Sequence, residues 1–86
     1  MNQNDCIRIF LYFPIIEQEY ECIVHRDITF VDLINQVIEL KRSDLINRYT
    51  INETMIVMCD ESGQYCSLVE SLRILQVRDG MTFKVY

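Results

Sequence analysis

The stretch Ser71-Leu72-Arg73-Ile74-Leu75-Gln76-Val77-Arg78-Asp79-Gly80-Met81-Thr82-Phe83-Lys84-Val85-Tyr86 decides the fold. Leu72 and Leu75 lie three apart, the spacing by which a 3₁₀ or short helical turn tucks both beneath a sheet. Asp79-Gly80 follows as a strong reversal signal, because Gly adopts positive φ without steric cost and Asp bonds its own nearby backbone. Residues 81–86 then alternate, with Phe83 and Val85 on one side and Lys84 and Tyr86 on the other, which is the period of a half-buried strand.

The other end of the chain supplies partners for that strand. Residues 7–13 are β-branched and aromatic, with Ile7, Ile9, Leu11 and Phe13 on one face and Arg8, Phe10 and Tyr12 on the other. Pro14 cannot donate to a ladder and marks a reversal. Beyond it Glu17, Glu19 and Glu21 alternate with Gln18, Tyr20, Cys22 and Val24, so a second strand is expected to turn its glutamates to water and its even positions inward.

At residue 30 the period changes from two to about 3.6, and Phe30, Leu33, Ile34, Val37, Ile38 and Leu40 form an apolar stripe. Thr29 is the expected N-cap, Asp32 sits in the first turn near the positive end of the dipole, and Ile28 with Leu33 can staple the start. Lys41 and Arg42 complement the other pole. Residues 43–54 lose the pattern and read as a connector. Residues 55–59 and 64–67 flank Asp60-Glu61-Ser62-Gly63 and read as a small hairpin. If Ser62-Gly63 fills two turn positions, Cys59 lies opposite Cys66.

The length of 86 residues suits a single domain over 1–86, with 1–5 expected to fray. Thirteen acidic against eight basic residues leave a net charge of -5, which repels phosphate backbones and excludes nucleic acid as the expected partner. No run is long and apolar enough to span a bilayer, and the polar start lacks the features of a signal peptide, so the expectation is a cytoplasmic protein without direct membrane insertion. In that compartment the four cysteines are read as reduced thiols.

No constellation reads as an active site. His25 is the only imidazole, and its spacing from Cys22 places the two on opposite faces of a strand. The cysteine gaps do not match zinc-ligand pairs, the glutamate row reads as a solvated strand face, and the two glycines sit at turns rather than in a phosphate loop. The expectation is therefore a non-enzyme with no catalytic, metal or cofactor-binding residues. What stands out is strand parity, which gathers Arg8, Phe10, Tyr12, Ile23, Lys84 and Tyr86 on the face away from the helix. Aromatic clusters in water mark interfaces, so this face is expected to meet a protein partner or a second copy in a homo-oligomer.

The order strand, strand, helix, strand, short strand, turn, strand resembles the ubiquitin-like β-grasp, an α+β fold with a mixed sheet of four to five strands and one main helix on one face. Cys6-Ile7-Arg8-Ile9-Phe10-Leu11 resembles the opening strand of ubiquitin, Asp27-Ile28-Thr29-Phe30-Val31-Asp32-Leu33 resembles the start of its helix, and Leu72 through Val77 with Phe83 and Val85 resembles its last core positions. Residues 67–86, ending on Val85-Tyr86 without a glycine tail, look most like the YukD-like proteins. That resemblance implies an accessory component of a bacterial type VII secretion system, partnered by secretion components and not conjugated through an activated C-terminus. The alternatives are a ubiquitin-like scaffold unrelated to secretion, and a sulfur carrier or thiol-redox protein.

Overall fold

The computed structural model describes residues 5–40 and 56–86. Around Pro14 the two alternating segments form a hairpin, β1 (Cys6–Phe13) against β2 (Gln18–His25), in unbroken antiparallel register from Cys6 opposite His25 to Phe13 opposite Gln18. The loop over 14–17 ends on Glu17 at φ 53. Ile7, Ile9, Leu11 and Phe13 are buried, as are Cys22 and Val24. Gln18, expected inward, is exposed: it is the first residue of β2, directly after the 14–17 turn, where its polar amide can stay in water. Asp5, expected to fray, accepts the Arg26 N–H at its carbonyl at 2.8 Å.

The helix α1 (Phe30–Leu40) starts where its cap says it should. Thr29 Oγ1 accepts the Asp32 N–H at 3.2 Å, satisfying one otherwise orphaned donor, and the Thr29 carbonyl accepts the Leu33 N–H at 3.0 Å as the first intrahelical bond. Phe30, Leu33, Ile34 and Val37 are buried, and Ile28 and Ile38 pack on their margin. Leu40, counted in the stripe, is 81% exposed, since as the last residue of α1 it borders an open groove against β2 rather than packing on it. Lys41, Arg42, the connector 43–54 and Met55 lie outside the described residues.

The remaining strands are short: β3 (Val57–Cys59), β4 (Tyr65–Cys66) and β5 (Thr82–Val85). They complete a mixed sheet in the order β2-β1-β5-β3-β4, in which β5 runs parallel to β1 and antiparallel to β3. The hairpin between β3 and β4 has a different register from the two-residue turn. Cys66 pairs with Val57, while the Cys59 N–H donates to the Gln64 carbonyl and the Cys59 carbonyl accepts the Gly63 N–H, both at 2.8 Å, because 60–63 form a four-residue loop closed by Gly63 at φ 70. Gly80, at φ 86, turns the chain into β5, and its N–H donates to the Arg8 carbonyl at 2.7 Å while Asp79 Oδ1 accepts the Arg8 N–H at 2.8 Å.

Residues 71–77 make the leucine-bearing turn. Ser71 Oγ accepts the Ile74 N–H at 3.2 Å, the Ser71 carbonyl accepts the Leu75 N–H at 3.0 Å, and the turn closes on Gln76 at φ 57. Leu72 and Val77 are buried and Leu75 packs at the margin, so this turn floors the core beside the start of α1. The core therefore lies between α1 and one face of the sheet, and the other face is left without a covering layer among the described residues.

Candidate protein-interaction face

Register places the sequence-predicted residues in rows across the uncovered face. Ile23 sits opposite Arg8, Glu21 opposite Phe10, and Glu19 opposite Tyr12. Tyr12 neighbours Lys84, and Phe10 neighbours Thr82, through the parallel β1–β5 pairing. Lys84 in turn neighbours Met58, and Met58 neighbours Tyr65. Tyr86 lies just past β5, yet it exchanges both backbone bonds with Ile56, its N–H donating at 2.9 Å and its carbonyl accepting at 3.5 Å.

The structure thus brings Arg8, Phe10, Tyr12, Lys84 and Tyr86 into one contiguous area and leaves Ile23, 67% exposed, at its margin beside the outer edge. It adds Met58, Tyr65 and Ile56, which the sequence reading missed. Their parity within 55–59 and 64–67 was readable, but which strand lies next to β5 was not. Tyr65 is 74% exposed at the far end of the row.

Charges frame these rings. The Arg8 guanidinium carbon lies 5.7 Å from the centroid of the Phe10 ring, a cation–π contact. Lys84 Nζ stands 3.3 Å from Asp60 Oδ1. Glu19 and Glu21 border the area on β2. The face is therefore an aromatic and apolar centre with cations inside it and carboxylates at its rim.

The reactive side chains lie elsewhere. Cys22 points into the core while His25 stands on the opposite parity, its Nδ1 accepting the Asp27 N–H at 3.1 Å. Burial, and secondarily the Glu21 carboxylate, pushes the Cys22 thiol up; burial, and secondarily Cys59, does the same to Cys66. Both shifts favour protonated thiols, the reverse of what a nucleophile needs. Cys59 and Cys66 are diagonal neighbours on the core side, and both are free. No three potential metal ligands gather among the described residues.

Beside His25, Arg73 ties the two ends of the chain together. Its Nε stands 2.8 Å from Asp27 Oδ1 and its Nη2 3.4 Å from Asp5 Oδ1. The hydrogen bond from Arg73 holds the Asp27 carboxyl below its ordinary range. That contribution is complete above the unfolded-state value and is lost as pH falls through the lowered folded value. Asp27→Asn should accordingly flatten the acid limb of stability against pH, read from denaturant midpoints at successive acid pH values. Superimposable acid limbs would show that the pair contributes nothing.

No protein-family model matches the sequence, and no curated protein is detectably similar to it. Solved structures do resemble the fold. A structure from work on molecular mimicry of SUMO in DNA repair aligns with a TM-score of 0.74 at 13% identity, over 95% of this chain and 91% of the other. Caldiarchaeum subterraneum ubiquitin aligns with a TM-score of 0.68 at 18% identity, over 93% and 90%. The ubiquitin-like domain of Arabidopsis thaliana protein At2g32350 aligns with a TM-score of 0.67 at 16% identity, over 94% and 76%. The fold is the ubiquitin-like β-grasp. Similarity at these identities speaks to architecture alone.

Proposed function

We propose that this chain is a non-enzymatic, cytoplasmic ubiquitin-like module that binds a protein partner through the uncovered face of its sheet, and that it serves as an accessory component of a bacterial type VII secretion system. The observation that carries the binding reading is the contiguous group Phe10, Tyr12, Met58, Tyr65, Ile56 and Tyr86, exposed or half-buried on a face that no other element covers among the described residues. Large amphipathic side chains of this kind supply most of the energy of protein interfaces. The secretion reading is supported by the likeness of residues 67–86 to the YukD-like proteins.

The double substitution Phe10→Ala with Tyr12→Ala should weaken partner binding by more than about tenfold, since truncating a central anchor costs more than about 1 kcal/mol each. Titration calorimetry against the cytoplasmic part of the secretion ATPase, with circular dichroism as the folding control, reads this directly. Unchanged affinity in a folded variant would remove the face from the interface. Genes for small helical secreted proteins and a membrane ATPase should lie beside this one. An adjoining gene for an adenylating enzyme would favour a carrier instead.

A further inference from the structure

We propose that this chain pairs with a second copy of itself along the outer edge of β2, the two strands running antiparallel about a two-fold axis at Cys22 and joining two five-stranded sheets into one. The first observation is topological. β2 ends the strand order, so among the described residues only its inner edge is paired. Arg26 N–H donates to the Asp5 carbonyl, which places the ladder bonds between odd residues of β1 and even residues of β2. The even residues of β1 are spent on the other side, with Phe10 N–H donating to the Met81 carbonyl at 2.9 Å. The N–H and C=O groups of Glu19, Glu21 and Ile23 therefore point outward, and nothing among the described residues pairs with them.

The second observation is that this edge lacks most of the usual protections, its exposed Glu19 and Glu21 being the exception. Exposed edges are blunted by Pro, Lys, bulges or inward-pointing charge. β2 contains no Pro, Lys or Arg, its register is unbroken over eight residues, and its inward side chains Tyr20, Cys22 and Val24 carry no charge. Along it runs a groove of about 210 Å³ lined by Tyr20, Cys22, Val24, Leu33, Val37 and Leu40.

Side-chain complementarity selects both the occupant and the register. Pairing through the outward groups sets odd residues opposite odd residues. An axis at Glu21 would place two glutamates face to face, which is destabilising. An axis at Ile23 pairs only residues 21–25. An axis at Cys22 pairs 19–25, sets Glu19 opposite the partner's His25, and repeats that match by symmetry at the other end. His25 is poised for it: Nδ1 accepts the Asp27 N–H, so Nε2 carries the proton, and the Asp5 carboxylate stands 3.9 Å from it, beyond hydrogen-bond reach. In this register Tyr20 meets the partner's Val24, and Glu21 lies beside the partner's Ile23. Both uncovered faces end up on one side of a ten-stranded sheet.

Sedimentation equilibrium over a concentration series should show a reversible dimer. Ile23→Pro deletes an outward N–H while sparing the ladder to β1, and should weaken dimerisation by at least about tenfold; Ile23→Glu, which sets a carboxylate directly opposite the partner's Glu21, should do the same if the proline variant unfolds. Phe10→Ala with Tyr12→Ala should leave the dimer intact, which separates this edge from the face proposed above. At a non-hydrogen-bonded pair the two Cys22 Cα atoms stand about 4.5 Å apart, within disulfide span. Diamide at alkaline pH takes up the two protons and two electrons that two thiols lose. Peptide mapping should then find the intermolecular link at Cys22. A monomer at every concentration, a dimer insensitive to both Ile23 substitutions, or a folded dimer linked elsewhere but never at Cys22 would overturn the proposal.

Discussion

Phe83→Ala is expected to lower the free energy of unfolding by about 3 to 5 kcal/mol, a large share of the roughly 5 to 15 kcal/mol that holds a domain of this kind. Phe83 is buried on β5, the central strand, opposite Leu11 on β1 and Cys59 on β3. Its ring meets Phe30 edge-on, with centroids 4.9 Å apart at an interplanar angle of 62°. Truncation therefore removes transfer free energy, leaves a void between sheet and helix, and deletes an aromatic pair. Urea unfolding followed by circular dichroism measures the loss. A change below about 1 kcal/mol would mean that the sheet–helix interface is not where the stability lies.

Leu72→Ala should cost about 2 to 5 kcal/mol, while Ile74→Ala, two residues along the same turn, should change stability by no more than about 0.5 kcal/mol. Leu72 is fully buried and Ile74 is 66% exposed, so burial is the decisive variable. The backbone at Leu72 is also anchored, its N–H donating to the Ile28 carbonyl at 2.9 Å and its carbonyl accepting the Val77 N–H at 3.0 Å. Alanine keeps both bonds, and the loss then reports the side chain alone. Equal effects at the two positions, measured by the same denaturant titration, would contradict the placement of the turn against the core.

Periodicity alone determined much of this protein. The two-residue alternation of 7–13 assigned Ile7, Ile9, Leu11 and Phe13 to the core, and the 3.6 period with Thr29 before it located α1 and its buried stripe. Asp79-Gly80 marked the reversal into β5 because few other residue pairs tolerate that backbone. These features are legible because each depends on residues a few positions apart. The same parity argument named Phe10, Tyr12, Lys84 and Tyr86 as outward-facing.

Tertiary structure decided what depends on distant residues. Met58, Tyr65 and Ile56 join the uncovered face only because β5 lies between β1 and β3, an order that no local pattern encodes. Cys59 and Cys66 miss each other by two residues because four residues, not two, fill the loop over 60–63. Leu40 continues the helical period but, as the last residue of α1, borders an open groove against β2 rather than packing on it. Arg73 reaches Asp5 and Asp27, residues far away along the chain, because the turn over 71–77 docks beside the start of α1. Local sequence selects each element and its inward side; strand order, loop length and element length then determine which outward side chains become neighbours and which edge stays unpaired.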